Sequence, residues 1–502
     1  MGHLLGIDLG TGSVKALIVT AEGETVSRGS ADYAISRREP SWAEQDPNDW
    51  RGATVLAVRQ ALEIAGRPEI SAIGLSGQMH GTVAIDSEGA CVRPAIIWAD
   101  GRSVVEAREI TEQIGSVRLI EIAGSPVVAG FQAASCRWLA RHEPDNWART
   151  AVVLTPKDEL RRWLTGEIAT EPSDASATLL FDVTRGQWSP ELLAASSVRA
   201  EQLPRVIAST SVSGQLRQSV ADECGLPPGI LVSGGVADAP GAALGAGVAD
   251  SSSLLLTLSS GAQALIPARQ PLIDSRGRIH SFCGPLDSPR WYAMGATMSA
   301  GMCLRWLRDN VFELRSPQAY DEMMAAAAGV PAGAGGLLFL PYLAGERTPL
   351  MDPNARGVFL GLTSAHGRGH LIRAVLEGVA FSMWEAFSVL RELGSNPARI
   401  VLAGGGARAP LWRQIVADVF ELPVTPALDS DQSAIGAAMT AGAAIGAIAL
   451  AAACRVWPRY DATVEPNSRA APVYQELMPV FRATYIAHES DFRVLKSIDA
   501  QR

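Results

Sequence analysis

Several short segments place residues capable of phosphate and polyol chemistry beside glycines. Asp8-Leu-Gly-Thr-Gly-Ser-Val-Lys15 ends an apolar run with a carboxylate and follows it with a turn rich in backbone N–H groups and hydroxyls. Glycine lets such a backbone close on phosphate oxygens, while Thr11 and Ser13 donate hydrogen bonds. Asp8 then stands where a hydrated Mg²⁺ between phosphates would stand. An ordinary hairpin with a polar turn accounts for the same residues equally well. After Gly10 and Gly12 the third glycine of a dinucleotide fingerprint is replaced by Lys15, which argues against a Rossmann reading. Leu75-Ser-Gly-Gln-Met-His-Gly81 puts Gln78, Met79 and His80 in a loop at the carboxyl end of a strand, where α/β sheets bind ligands. Trp98-Ala-Asp-Gly-Arg102 offers a stacking aromatic, an acceptor and a donor fork: a grip for a polyol, or else a surface salt bridge.

Two later segments add a base and a flat surface. Gly234–Gly247 is a stretch of small residues with a single carboxylate, Asp238. An acid in such a setting seldom serves packing and suits a general base where a ligand meets the backbone; a helix N-cap is the alternative. Leu402-Ala-Gly-Gly-Gly-Ala407 can lie flat against a planar ligand such as adenine.

The elements that must position these residues alternate between apolar strand-like runs and helical patterns, which argues an α/β architecture. Strands are expected at Leu4–Asp8, Lys15–Thr20, Ala72–Ser76, Leu231–Gly234, Leu254–Leu258, Gly336–Leu340 and Ile400–Ala403. Helices are expected at Pro47–Ala65, Ser103–Ile114, Leu371–Leu393 and Ala409–Phe420, with Asp46 capping the first of them. Ser253-Leu-Leu-Leu-Thr-Leu-Ser-Ser-Gly-Ala262 repeats the strand-turn-strand pattern of Leu4–Ser13 about half the chain later, Ser260 standing for Thr11. Two similar halves with a cleft between them are implied, joined by a hinge near Gly241–Gly247.

Composition excludes several classes. The 502 residues are 47% hydrophobic and 19% charged, which allows two or three domains with real cores. The 43 basic and 52 acidic residues leave a net charge of −9 with no basic run, so no nucleic-acid footprint is present. Only Lys15, Lys157 and Lys496 are lysines, and no Gly-Lys pair exists for a P-loop. The six cysteines are scattered without Cys-x-x-Cys spacing, which indicates neither a disulfide framework nor a zinc site. The charge-free stretch Gln432–Cys454 is long enough for a bilayer but is mostly Ala and Gly, which reads as a buried helix pair. A soluble cytoplasmic protein is expected.

In this order, the segments resemble the FGGY carbohydrate kinases over essentially the whole chain, and within them most closely the xylulose kinase branch. Thr155–Glu167 looks like that family's first signature. Gly345–Pro349 with Asp352–Gly361 looks like the lead into the second, which runs from Gly357 through His370 to Glu377. The resemblance implies two actin-like, ribonuclease-H-like ATPase lobes, residues 1–243 and 244–502, with ATP in the cleft between them. It implies Asp238 as catalytic base and Asp8 as the acid supporting Mg–ATP. Gln78, Met79, His80, Trp98, Asp100 and Arg102 are implied at the sugar. Thr11, Gly12, Ser13 and Lys15 match the first phosphate hairpin, Ser260 and Gly261 the second, and Gly301, Gly405, Gly406 and Ala407 the nucleoside positions. The expected partners are ATP, Mg²⁺ and a sugar phosphorylated at its C5 hydroxyl, D-xylulose by preference. No nucleic acid or membrane is expected, and a homodimer is left open. Ala239 stands where that branch often has Asn, Ala99 where Asn is expected, and Gly284 and Leu350 where His is frequent. Fewer hydrogen bonds to the sugar are expected in consequence. Competing readings are a kinase for another ketose or polyol, an actin- or chaperone-like ATPase, and a catalytically silent sugar sensor.

Overall fold

The chain was studied as a computed structural model that describes residues 2–499. Its contacts group into two compact units that interleave along the sequence. The first comprises 1–249, 267–292 and 431–458; the second comprises 250–266, 293–430 and 459–502. The chain first leaves the first unit shortly after the expected 243/244 cut, but it then returns twice. A single cut therefore does not describe the units, because two later stretches complete the first unit's packing.

The main sheet of the first unit contains β1 (His3–Leu9), β2 (Ser13–Val19), β3 (Thr25–Asp32), β4 (Ile70–Gly77), β5 (Val212–Gln215), β6 (Leu231–Ser233) and β7 (Val236–Ala237). The order is β5-β6-β4-β1-β2-β3, with β7 also pairing with β4. β1 runs antiparallel to β2 and parallel to β4, with Asp8 opposite Lys15 on one side and Ser76 on the other. β7 runs parallel to the far edge of β4, Val236 opposite Ser76 and Ala237 opposite Gly77. That register makes Asp8 and Asp238 leave the sheet at the same carboxyl end, on either side of β4.

Helix α1 (Pro47–Ile64) starts where its cap predicts: the Asp46 side chain accepts from the Asn48 N–H at 2.9 Å, and Pro47 occupies the first turn. Its apolar stripe buries Trp50, Ala57 and Ala61 in the core on one face of the sheet. The other helices of this unit used below are α2 (Pro156–Thr165), α3 (Pro172–Ala177), α4 (Asp238–Gly245), α5 (Gln432–Ala444) and α6 (Leu450–Val456). The last two span the charge-free stretch expected to be a buried helix pair: α5 is buried, whereas α6 buries only Leu450, Ala453 and Cys454 and runs on to an exposed Arg455 and Val456. No helix among the described residues is long and apolar enough to cross a membrane. Small residues let α5 lie directly on the sheet. A Cβ at Gly6 would overlap the carbonyl oxygen of Ala434, and one at Gly74 that of Ala437.

The second unit repeats the first unit's opening topology. β8 (Ser253–Leu258) and β9 (Ala262–Ala268) form an antiparallel hairpin, and β8 pairs in parallel with β10 (Arg399–Ala403), which pairs with β11 (Val424–Pro426). The helix Arg368–Glu392 carries much of this unit's core through residues such as Leu376, Val379 and Phe381. The strand expected at Gly336–Leu340 is shorter, Leu338–Leu340, because Gly335 and Gly336 have φ of 67° and 86° and turn the chain first.

The close approach of α5 to the sheet makes a simple prediction. Gly74→Ala should lower stability by about 1–3 kcal/mol, the usual cost of overpacking, read as a shift in the urea midpoint. An unchanged midpoint would contradict the packing described.

Candidate active site

In the first unit the candidate residues gather at the carboxyl end of β4. Asp8, at the end of β1, is largely buried and its Oδ1 has no hydrogen-bond partner. Burial pushes its pKa up to about 6 although Lys15 pulls the other way. Asp238 is the first residue of α4, with Ala237 in the cap position, so the N-cap alternative does not describe it. Burial, then the charge of Asp8, pushes the Asp238 pKa up to about 7. A carboxylate poised near neutrality at a strand end suits proton abstraction.

The Thr11–Ser13 turn is closed by the Gly10 N–H donating to the Ser13 carbonyl at 3.0 Å, and a Cβ at Gly12 would meet nothing. The indole of Trp98 donates to Thr11 Oγ1 at 2.9 Å. The Gln45 amide donates to the Thr11 carbonyl at 2.6 Å and accepts from the Gln78 amide at 2.9 Å. Trp98 and Gln78, expected at the sugar, are thus tied to the Thr11–Ser13 hairpin. Gln78 Oε1 is buried without a partner. Lys15 lies 3.0 Å from Asp431, which also meets Arg28 at 3.2 Å. Met79 is buried beneath Tyr292, whose hydroxyl reaches its sulfur at 3.9 Å. His80, held at φ 71°, stacks on Phe131 with ring centroids 3.7 Å apart, and its Nδ1 is 2.7 Å from the Ala177 carbonyl.

The polyol grip expected of Asp100 and Arg102 needs correction. Asp100 accepts from the Ala43 N–H at 2.6 Å and from Arg102 Nε at 2.9 Å. Arg102 also pairs with Glu44 at 2.8 Å and lies 3.6 Å over the Trp42 ring. Neither a surface salt bridge nor a free donor fork results: the pair is buried and brings the Trp98 loop against the Trp42–Glu44 segment. Ala99 packs against the apolar core, so an amide there would face hydrocarbon. Ala239 is buried beside Asp238.

In the second unit the Ser259–Gly261 turn, the start of the helix at Gly301 and the Gly405–Arg408 turn surround a cavity of about 660 Å³. Ser260, Gly301, Gly405 and Gly406 line it. The Ser260 carbonyl accepts from Ala300 N–H at 2.8 Å and Met302 N–H at 3.0 Å, which joins hairpin to helix. Gly261 and Ala407 do not line the cavity: Ala407 is buried, and a Cβ at Gly261 would come within 2.7 Å of the Thr297 carbonyl. Residues the sequence did not suggest complete the wall, among them Arg305, Tyr320, Met324 and Trp412. The Trp412 indole is fixed by donating to the Leu376 carbonyl at 3.1 Å. Aromatic and apolar walls beside a Gly-rich turn suit a planar ring, and Arg305 beside the Ser260 hydroxyl suits an anion. Only distance along the chain hid these residues.

No three His, Cys, Asp or Glu side chains among the described residues converge as a metal site. A Mg²⁺ held chiefly by phosphates and water needs one or two carboxylates, and the unpartnered oxygen of Asp8 fits that demand.

A carboxyl near neutrality at a strand end, a Gly/Ser/Thr hairpin used twice and a ring-sized cavity suit a phosphotransferase of the carbohydrate kinase class. Comparison with known proteins agrees: the N-terminal domain model of the FGGY family of carbohydrate kinases matches residues 3–245 and the C-terminal domain model matches residues 255–445. The chain belongs to the FGGY family of carbohydrate kinases. It is similar to the xylulose kinase of Klebsiella pneumoniae, 37% identical over 88% of this chain and 90% of that one. It is likewise similar to the xylulose kinase of Bacillus subtilis, 34% identical over 99% of each. The solved xylulose kinase of Rhodospirillum rubrum superposes with a TM-score of 0.90 at 30% identity, covering 98% of this chain and 100% of that one. Solved sugar kinases of this family, that of Rhodospirillum rubrum among them, share the actin-like two-lobed ATPase fold that the resemblance implied.

The raised pKa of Asp238 has a measurable cost. Its carboxyl binds a proton more tightly folded than unfolded, so its contribution to stability is complete below about pH 4. It is lost as pH rises through about 7. Asp238→Asn should therefore raise the Tm of the free protein relative to the parent more at pH 8 than at pH 5. An equal difference at both pH values would contradict the burial argument.

Proposed function

We propose that this carbohydrate kinase transfers the γ-phosphoryl group of ATP to the C5 hydroxyl of D-xylulose, with Asp238 as the general base. The observation that carries the reading is the Asp238 carboxyl, poised near neutrality by burial and by Asp8, and close enough to Tyr292 to raise the pKa of that phenol as well. The names of the relatives support the sugar. As the C5 oxygen forms its bond to the γ-phosphorus, the bond to the bridging oxygen of the departing ADP breaks, and the hydroxyl proton passes to Asp238. Such transfers depend on positioning and charge stabilisation more than on covalent chemistry. Backbone N–H groups and hydroxyls of the Thr11–Ser13 and Ser259–Gly261 turns would hold phosphoryl oxygens, and the 660 Å³ cavity would take the nucleoside. Mg²⁺, when bound, neutralises phosphate charge; Asp8 would hold it through water. Met79 and His80, set by Tyr292, Phe131 and the Ala177 carbonyl, would form the sugar wall.

A coupled ADP-release assay over D-xylulose, L-xylulose, D-ribulose, L-ribulose, xylitol, glycerol and gluconate tests the substrate. D-Xylulose should give the highest kcat/KM, and Asp238→Asn should lose about 10²–10⁴ in kcat. A different preferred sugar would retain the kinase and remove the substrate name, whereas ADP release independent of any sugar would favour an actin- or chaperone-like ATPase. Ala239→Asn should lower KM for D-xylulose about 2- to 10-fold, the worth of one hydrogen bond. A raised KM would show that no sugar hydroxyl faces that position.

A further inference from the structure

The signature-like segment Thr155–Glu167 has no part in the chemistry above, yet Lys157, Asp158, Glu159 and Arg161 within it are buried. It forms α2, in which Lys157 and Arg161 have side chains 0% exposed. The Lys157 ammonium lies 2.7 Å from Asp158, 3.3 Å from Asp174 and 3.7 Å from Glu171. The Arg161 guanidinium lies 3.0 Å from Asp158. Both cations also donate to one carbonyl, that of Gly234, at 3.4 and 2.7 Å. Glu171 takes the Ser173 hydroxyl at 2.7 Å, the Ser209 hydroxyl at 2.8 Å, and the N–H groups of Ser173 and Asp174 at 2.9 and 3.0 Å. The Ser173 oxygen in turn accepts the Ala237 N–H at 2.9 Å. Three carboxyls thus face two cations. Burial and the neighbouring Asp158 and Glu171 charges push the Asp174 pKa up.

The backbone leading into Asp238 is therefore gripped twice, at the Gly234 carbonyl and at the Ala237 N–H. Replacing a buried ion cluster with apolar side chains is often neutral or favourable for stability, so stability alone gives little reason to keep these charges. Fixed geometry does give one, because a displacement of about 1 Å at a reacting group can cost about 10²-fold in rate. We infer that Ser173, polarised by Glu171 within the Lys157–Arg161 cluster, is a positioning residue that sets where the Asp238 carboxylate meets the substrate hydroxyl. The inference rests on Asp238 being the base.

A double-mutant cycle with the best substrate of the sugar panel separates the two claims. Ser173→Ala should lower kcat about 10- to 100-fold, with KM for ATP within about 2-fold of the parent and little change in Tm. Ser173→Cys, a weaker acceptor of similar shape, should fall between. Ser209→Ala removes another hydrogen bond to the same Glu171 without touching Ala237, and should keep the parent's kcat. Once Asp238→Asn has removed the base, adding Ser173→Ala should change kcat by less than about 2-fold, because both act through one group. A Ser173→Ala kcat within about 3-fold of the parent, or a loss that multiplies fully onto that of Asp238→Asn, would overturn the inference while leaving the base in place. Near-full turnover by Asp238→Asn alone would overturn the base assignment itself.

Discussion

Two carboxyls leave one sheet at the same end, and the charge of Asp8 there raises the pKa of Asp238. Asp8 and Asp238 flank β4 because β1 and β7 pair with its two sides in parallel register. Parallel pairing brings successive strand ends to the same edge, and burial there removes the water that would screen the charges. Both groups accordingly hold a proton more tightly than an ordinary aspartate, the pKa of Asp8 pushed up to about 6 and that of Asp238 up to about 7. Sites of this kind are stability costs borne for function.

The surrounding structure keeps that edge from relaxing. α5 lies against the sheet through glycines too close to backbone carbonyls to admit a methyl group. The Gln45 amide ties the phosphate hairpin to the Gln78 loop, and the buried Asp100–Arg102–Glu44 set holds the Trp98 loop beside them. Each signature-like segment supplies a buried polar cluster. In the second unit Glu377 accepts from Arg373 at 2.6 Å, from the Tyr474 hydroxyl at 2.8 Å and from the Gly333 N–H at 3.1 Å.

What was legible in the sequence follows range. Asp8 with its glycine turn, Asp238 among small residues, and the repeated hairpin were readable because each is set within a dozen residues of chain. So were α1, through its cap and proline, and the charge-free helix pair. The Asp100–Arg102 pair was misread because its partners, Glu44 and the Trp42 ring, come from a segment over fifty residues away. Gln45, Tyr292, Asp431 and the cavity wall at Tyr320 and Trp412 were missed for the same reason. The interleaving of the units was hidden too, since nothing in the composition of 431–458 marks it as packing with the first strands.

Asp8 and Asp238 share a largely buried end of the sheet, where the charge of Asp8 bears on Asp238. The most direct measurement is a ¹³C NMR titration of the aspartate carboxyl carbons in the ligand-free protein, with the Asp238 resonance assigned by substitution. In the parent Asp238 should titrate near neutrality, and in Asp8→Asn its midpoint should move down, since one of the two causes of its elevation is gone. A midpoint near 4, the ordinary range of an aspartate, or one indifferent to Asp8, would contradict the arrangement from which the base assignment is drawn.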